Sequence, residues 1–228
     1  MSLEELYPEI RDAHVYSKHR KYSNALQVYV DILNDINQDS EEYCSVLLEY
    51  AQCLLESIMV QSELNYLKIL QTRSQIDEEA IEEDLENCWE SLEICRISFT
   101  DLNKRDKLCE VHKGLGDVLC LKNQFEEGKR EYLSALDFAD DDETCIEILE
   151  CVADCCRSLK KYDDCVGFYR QIKDVYARMN MKEMEEEYDI LIDETIRAEA
   201  ANKQESKKAK MDKDDATKEP INVNHLKK

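Results

Sequence analysis

Small and apolar residues recur along most of this chain at the spacing of a helix face, and the same spacing returns three times. Over residues 9–32 the positions are Ala13, Tyr16, Tyr22, Ala25, Tyr29 and Ile32. Over 111–135 they are Leu115, Gly116, Leu119, Phe125, Gly128, Tyr132 and Ala135, and over 146–172 they are Val152, Ala153, Cys156, Tyr162, Cys165, Tyr169 and Ile172. Gly128, Tyr132 and Ala135 follow i, i+4, i+7, the mark of one helix face laid against a core. Each stretch therefore predicts two helices joined by a bend at an aromatic residue, with small side chains where the helices cross.

A further unit is cut in two. Tyr50, Ala51 and Leu54, within 42–58, match a first helix, and Cys88, Leu92 and Cys95, within 77–99, match a second. The small-residue anchors Ala13, Ala51, Gly116 and Ala153 are separated by 38, 65 and 37 residues, so the middle interval is too long for one unit. The excess is about 30 residues and falls at about 59–86. Val60, Leu64 and Leu67 keep helical spacing, which predicts that the first helix extends into it. Between Ser74 and Cys95 there is no Lys or Arg, while Asp77, Glu78, Glu79, Glu82, Glu83 and Asp84 crowd together. This anionic arm leads directly into a core-packing helix.

The repeating unit resembles a tetratricopeptide repeat (TPR), a helical hairpin of about 34 residues whose small residues let its two helices approach closely. The resemblance implies an all-α TPR superhelix of four helical hairpins over residues 1–176, the second interrupted by the acidic insert. Met184, Tyr188, Leu191, Ile192 and Ile196 mark one face of a following helix, expected to cap the array over 177–202. From Lys203 the pattern dissolves, and 203–228 is expected to be a disordered Lys-rich tail. Lys207, Lys208 and Lys210 read either as a small import signal or as solvated tail.

Composition narrows the chemistry. Only 4 Gly and 2 Pro stand against 36% charged residues, which suits long helices rather than sheets. A formal net charge of −22 argues against direct nucleic-acid binding and for a basic partner. The sequence MSLEELYPEIRD lacks the basic start and apolar run of a secretory signal. No apolar run is expected to span a membrane, so the 11 cysteines are read as free thiols in a reducing compartment. Cys151, Cys155, Cys156 and Cys165 lack the paired spacing and nearby His of a zinc site, so no metal is expected. No HExxH and no phosphate-binding Gly-rich loop appears, so neither catalytic residues nor a cofactor is expected.

The acid-interrupted second repeat, followed by the Trp-containing helix LENCWESLEICRISF, resembles the nuclear autoantigenic sperm protein (NASP) family of histone chaperones. That resemblance implies a nuclear or nucleocytoplasmic protein that binds core histones, chiefly the third and fourth. It also implies linker histone as a client in some members, and other chromatin-assembly chaperones as partners. In TPR hairpins, ligands line the first helix of each repeat on the concave side. Those positions are Glu110, Lys113 and Asp117 in the third repeat and Glu147, Glu150, Asp154 and Arg157 in the fourth, with Tyr7 and His14 equivalent in the first. Glu110, Asp117, Glu147, Glu150 and Asp154 are therefore the candidate histone-binding residues of the concave face, with the insert acids Asp77–Asp84 as a second candidate surface. Solvated surface is the competing reading for both sets. A generic TPR adaptor or co-chaperone binding another protein's peptide is the alternative function; it needs a cationic face, for which Lys18, Lys113 and Arg157 are the material.

Overall fold

The computed structural model describes the backbone of residues 2–72 and 78–216 and the side chains of residues 2–62 and 80–204. Among the described residues there is no strand, and the elements are α1 (Leu3–Leu6), α2 (Ile10–Lys18), α3 (Tyr22–Asp35), α4 (Glu41–Thr72), α5 (Glu78–Asp101), α6 (Arg105–Leu121), α7 (Phe125–Leu136), α8 (Asp142–Ser158), α9 (Tyr162–Arg178) and α10 (Lys182–Ala216). The chain divides into two compact units, 1–155 and 156–228, with the boundary inside α8.

In the first unit α2 packs on α3, α4 on α5 and α6 on α7, and α3 meets α4 as α5 meets α6. The register residues lie where the sequence pattern places them: Ala13, Ala25, Ala51, Cys88, Cys95 and Ala135 are fully buried. Two glycines explain how closely the third hairpin closes. A Cβ on Gly128 would lie 2.8 Å from Cys120 Sγ and 3.1 Å from the Gly116 carbonyl oxygen, and one on Gly116 would lie 2.6 Å from the Tyr132 ring. In the second hairpin, cysteine fills the equivalent place as a small hydrophobe with a weak donor. Cys88 Sγ donates to the Ala51 carbonyl at 3.4 Å and Cys95 Sγ to the Cys44 carbonyl at 3.3 Å.

With so little glycine, the helix ends use other residues. Arg20, Asn103, Asn123, Lys160 and Asn180 all adopt positive φ, between 53° and 59°. In each case the next N–H returns to the carbonyl four residues before the left-handed position, as in Lys21 to Tyr16 (2.8 Å), Gln124 to Leu119 (2.8 Å) and Lys161 to Cys156 (2.8 Å). This satisfies carbonyls that a helix C-terminus otherwise leaves without partners.

The second hairpin departs from the others by length. α4 has 32 residues against 17 for α6, which makes it about 48 Å long. Helix α4 continues to Thr72 and α5 begins at Glu78, so helix occupies most of the 59–86 insert. From Glu78 onward the anionic arm is itself the opening of a helix. Ile81 and Leu85 turn inward onto the core made by α4, α5 and α6, and carboxylates are favoured in a first turn by the positive end of the helix dipole. Asp77 lies outside the described residues, as do the side chains of Glu78 and Glu79.

The expectation that no segment reaches membrane-spanning length and apolarity is also corrected. Glu41–Ser62 has the length and a mean hydropathy of 1.2 in its most apolar window. The reason lies in packing: Leu47, Leu48, Ala51, Leu54, Leu55 and Ile58 join the α5–α6 core, while Val46 and Cys53 join that of α2 and α3. Buried on two sides, α4 is apolar nearly all round.

In the second unit α9 packs on α10. Tyr188 meets Tyr169 edge-on (5.7 Å between centroids) and Tyr176 at a tilt (5.6 Å), and Lys173 Nζ reaches both Asp189 oxygens at 2.5 and 2.6 Å. Of the expected capping face, Tyr188 and Ile192 are buried, Met184 and Leu191 half-buried, and Ile196 exposed. Helix continues to Ala216, past the Lys203 at which loss of order was expected. Residues 203–216 contain no Gly or Pro, and Glu199 pairs with Lys203 one turn on. The tail beyond Ala216 lies outside the described residues.

Candidate functional site

The small anchors Ala51 and Gly116 face the partner helix of their hairpins and Ala153 holds the same register position in α8, so the residues six before, three before and one after them share an adjacent face of the first helix. Three of the predicted acids on that face are joined to neighbouring elements. Glu110 accepts from Gln52 of α4 (3.1 Å) and from Lys107 (3.1 Å). Glu147 of α8 accepts from Lys113 of α6 at 2.6 Å. Asp117 accepts from the Tyr132 hydroxyl of α7 at 2.6 Å. Glu150 and Asp154 are exposed on the same helix as Glu147. The structure thus gathers Asp117, Lys113 and Glu147 into one network between α6 and α8, while Glu110 joins α6 to α4.

Electrostatics within this network follows from burial. Burial raises the Asp117 carboxyl above its ordinary value, against the opposing effects of the Tyr132 hydrogen bond and the Lys113 charge. At Lys113 burial disfavours the charge, but the hydrogen bond to Glu147 and the Glu147 and Asp117 charges outweigh it, and the ammonium is held above its usual range. The network therefore holds its one deep cation as a charged, paired group.

Sequence reasoning missed the acids at the N-terminal end of this face. Glu4, Glu41, Glu42 and Glu49 line a cleft of about 450 Å³ with His14, Ser45 and Lys107. His14 bridges Glu4 (3.2 Å) and Glu49 (2.8 Å), and the Tyr29 hydroxyl donates to Glu49 at 3.3 Å. Glu49 stands two residues before its anchor, outside the register used to select candidates, and Glu4 belongs to α1, which carries no repeat signature. The Glu41–Glu42 pair at the start of α4 was the available signal.

The insert acids form a separate surface on α5. Glu82 and Glu83 are exposed, whereas Asp84 is half-buried, its carboxyl raised by burial and then by the Glu83 charge. Glu86 binds Lys122 at the end of α6 (2.8 Å). Asp84 and Asp117 both act on Cys88, whose thiol is pushed up to about 12 mainly by burial. The end of the insert therefore approaches the first-helix network around that thiol. Among the described residues no group of three His, Cys, Asp or Glu is placed to hold a metal ion.

No protein-family model and no curated protein matches the sequence. Among solved structures, the chain is similar to a Podosopora anserina protein assigned as a kinesin light chain with nearly identical TPR-like repeats, with TM-score 0.58 and 11% identity over 89% of this chain and 98% of that one. It is also similar to the yeast histone chaperone Hif1, described as a scaffold protein recruiting protein complexes to core histones, with TM-score 0.57 and 16% identity over 84% of this chain and 94% of that one. The fold is thus an all-α TPR array.

Proposed function

We propose that this chain is a histone chaperone of the NASP kind, a non-catalytic TPR scaffold that holds core histones, chiefly the third and fourth, through its acidic first-helix face. The observation that carries the reading is the charge of that face. Glu4, Glu41, Glu42, Glu49, Glu110, Asp117 and Glu147 line it, and the cations Arg11, Lys104, Lys107 and Lys113 that reach it are each bonded to one of those carboxylates. The likeness to Hif1 and the acid-interrupted second hairpin support the same reading. In this role the chain shields histone charge that otherwise binds nucleic acid indiscriminately. It works in the nucleus and cytoplasm and passes histones to other chromatin-assembly chaperones, with linker histone as a further client.

The adaptor reading, in which another protein's acidic peptide is clamped, is disfavoured because Lys113 is committed to Glu147 at 2.6 Å. Size-exclusion chromatography with mass determination decides between them. Purified chain mixed with the third and fourth histones is expected to elute as a defined complex at about 0.15 M salt, where charges beyond roughly 8 Å are screened. Separate elution there, together with binding of an acidic chaperone-tail peptide, would replace the histone reading with the adaptor one.

A further inference from the structure

We infer that Cys120 and Cys155 form a peroxide-responsive dithiol that closes to a disulfide and ties the first helix of the third hairpin to that of the fourth. Cys120 lies in the last turn of α6 and Cys155 in the last turn of α8, and their sulfurs stand 3.3 Å apart although 35 residues separate them in sequence. A disulfide needs about 2.05 Å between sulfurs, so closure asks for a movement of roughly 1.3 Å.

The two thiols are unequal in ways that assign their roles. Cys120 is half-buried while Cys155 is 2% exposed, so a small oxidant meets Cys120 first. The hydrogen bond with Cys155 holds the Cys120 thiol below its ordinary value, against burial and the Asp117 and Asp154 charges. Other cysteines of the interior lie the opposite way: burial pushes both Cys88 and Cys151 up to about 12. Thiolate character and access are what select a site of oxidation.

The chemistry closes with hydrogen peroxide as the oxidant. The Cys120 thiolate attacks one peroxide oxygen, the O–O bond breaks, and the leaving hydroxide takes a proton to become water. Cys120 is then a sulfenic acid. The Cys155 sulfur attacks Cys120 Sγ, the S–O bond breaks, and hydroxide departs as a second water with the Cys155 proton. Two thiols lose two electrons, and peroxide becomes two waters. The new bond spans α6 and α8 beside Asp117 and Asp154, so it fixes the spacing of two acidic rows on the first-helix face.

The test uses the full chain, reduced, freed of reductant and exposed to hydrogen peroxide while folded. Non-reducing digestion and mass spectrometry are expected to give a Cys120–Cys155 linked peptide as the dominant cross-link, lost on adding dithiothreitol. Dimedone, which traps sulfenic acid, is expected to label Cys120 weakly in the wild type and strongly in Cys155→Ser, with helicity unchanged. Three results on the wild type would each overturn the inference: Cys120 left as a thiol, Cys120 trapped by dimedone without the linked peptide, or cross-links spread over other cysteine pairs.

Discussion

Replacing Gly116 by Ala tests the packing of the third hairpin at its tightest point. Gly116 has no positive φ, so the helix alone favours Ala there by about 1 kcal/mol. Space opposes it. The added Cβ would stand 2.6 Å from Tyr132 Cδ1 and Cε1 and 2.9 Å from Cζ, against an optimal carbon separation of about 3.5–4.0 Å. The ring has to retreat by about 1 Å, yet Tyr132 is 3% exposed and its hydroxyl is held by Asp117. Overpacking costs about 1–3 kcal/mol, and loosening the Tyr132–Asp117 bond costs a similar amount because a half-buried carboxylate loses its donor. The net expectation is a loss of about 2–4 kcal/mol. Gly167 is the internal control: a Cβ there meets nothing within 4 Å, so Gly167→Ala is expected to gain up to about 1 kcal/mol. Urea denaturation followed by far-ultraviolet circular dichroism reads both, and hydrogen exchange locates the loss in α6 and α7, since repeat arrays open piecewise. Equal stability of the two variants would refute the packing account.

In the proposed role Glu147 and Glu150 meet the bound basic segment at close range, so reversing both to Lys is expected to speed histone dissociation. Neutralising Glu82 and Glu83 to Gln is expected mainly to slow association and flatten its salt dependence, both read by stopped-flow at several ionic strengths. Lys160, at φ 57°, occupies a left-handed position that costs a side chain about 1 kcal/mol, so Lys160→Gly is expected to raise the urea midpoint, and a lowered one would contradict the turn geometry. Because burial raises the Asp117 carboxyl above its ordinary 3.8, the folded chain holds that proton more tightly than the unfolded chain. Its stabilising contribution is complete below that value and is lost as pH rises through the folded one, so Asp117→Asn is expected to gain on the wild type from about pH 4 upward, and parallel stability curves would exclude this.

What the sequence shows most plainly is what close packing dictates. Ala13, Ala51, Gly116, Gly128 and Cys88 are small because a second helix crosses there, and a steric requirement of that kind recurs with each hairpin of the first unit. The bends were legible for the same reason, although Arg20, Asn123 and Lys160 stand where glycine is the usual residue. The site was less legible because it depends on side-chain partners. Nothing in the spacing says that Gln52 reaches Glu110, that Lys113 is taken by Glu147, or that His14 holds Glu4 while reaching Glu49, 35 residues further on. The acid run misled for an electrostatic reason. Charge density there reads as an arm or solvated surface, yet Ile81 and Leu85 anchor it to the core and a helix N-terminus accepts carboxylates.

In the proposed role, the internal pairs on the acidic face set the balance between holding and releasing a client. A histone Lys or Arg that binds Glu147 displaces Lys113, and one that binds Glu110 displaces Lys107 or Gln52. Each exchange replaces one partly exposed pair by another, and such pairs are worth only about 0.2–1 kcal/mol. Tight binding then has to come from many exchanges at once and from the long-range field of a chain carrying −22. Removing a single pair partner therefore weakens the complex little, whereas added salt weakens all exchanges together. When the client leaves, Lys113 and Lys107 return to their own carboxylates, so the emptied face is not left as unpaired buried charge. A carrier that must hand its cargo on gains from that arrangement: its bound and free states differ in partners rather than in the number of satisfied charges.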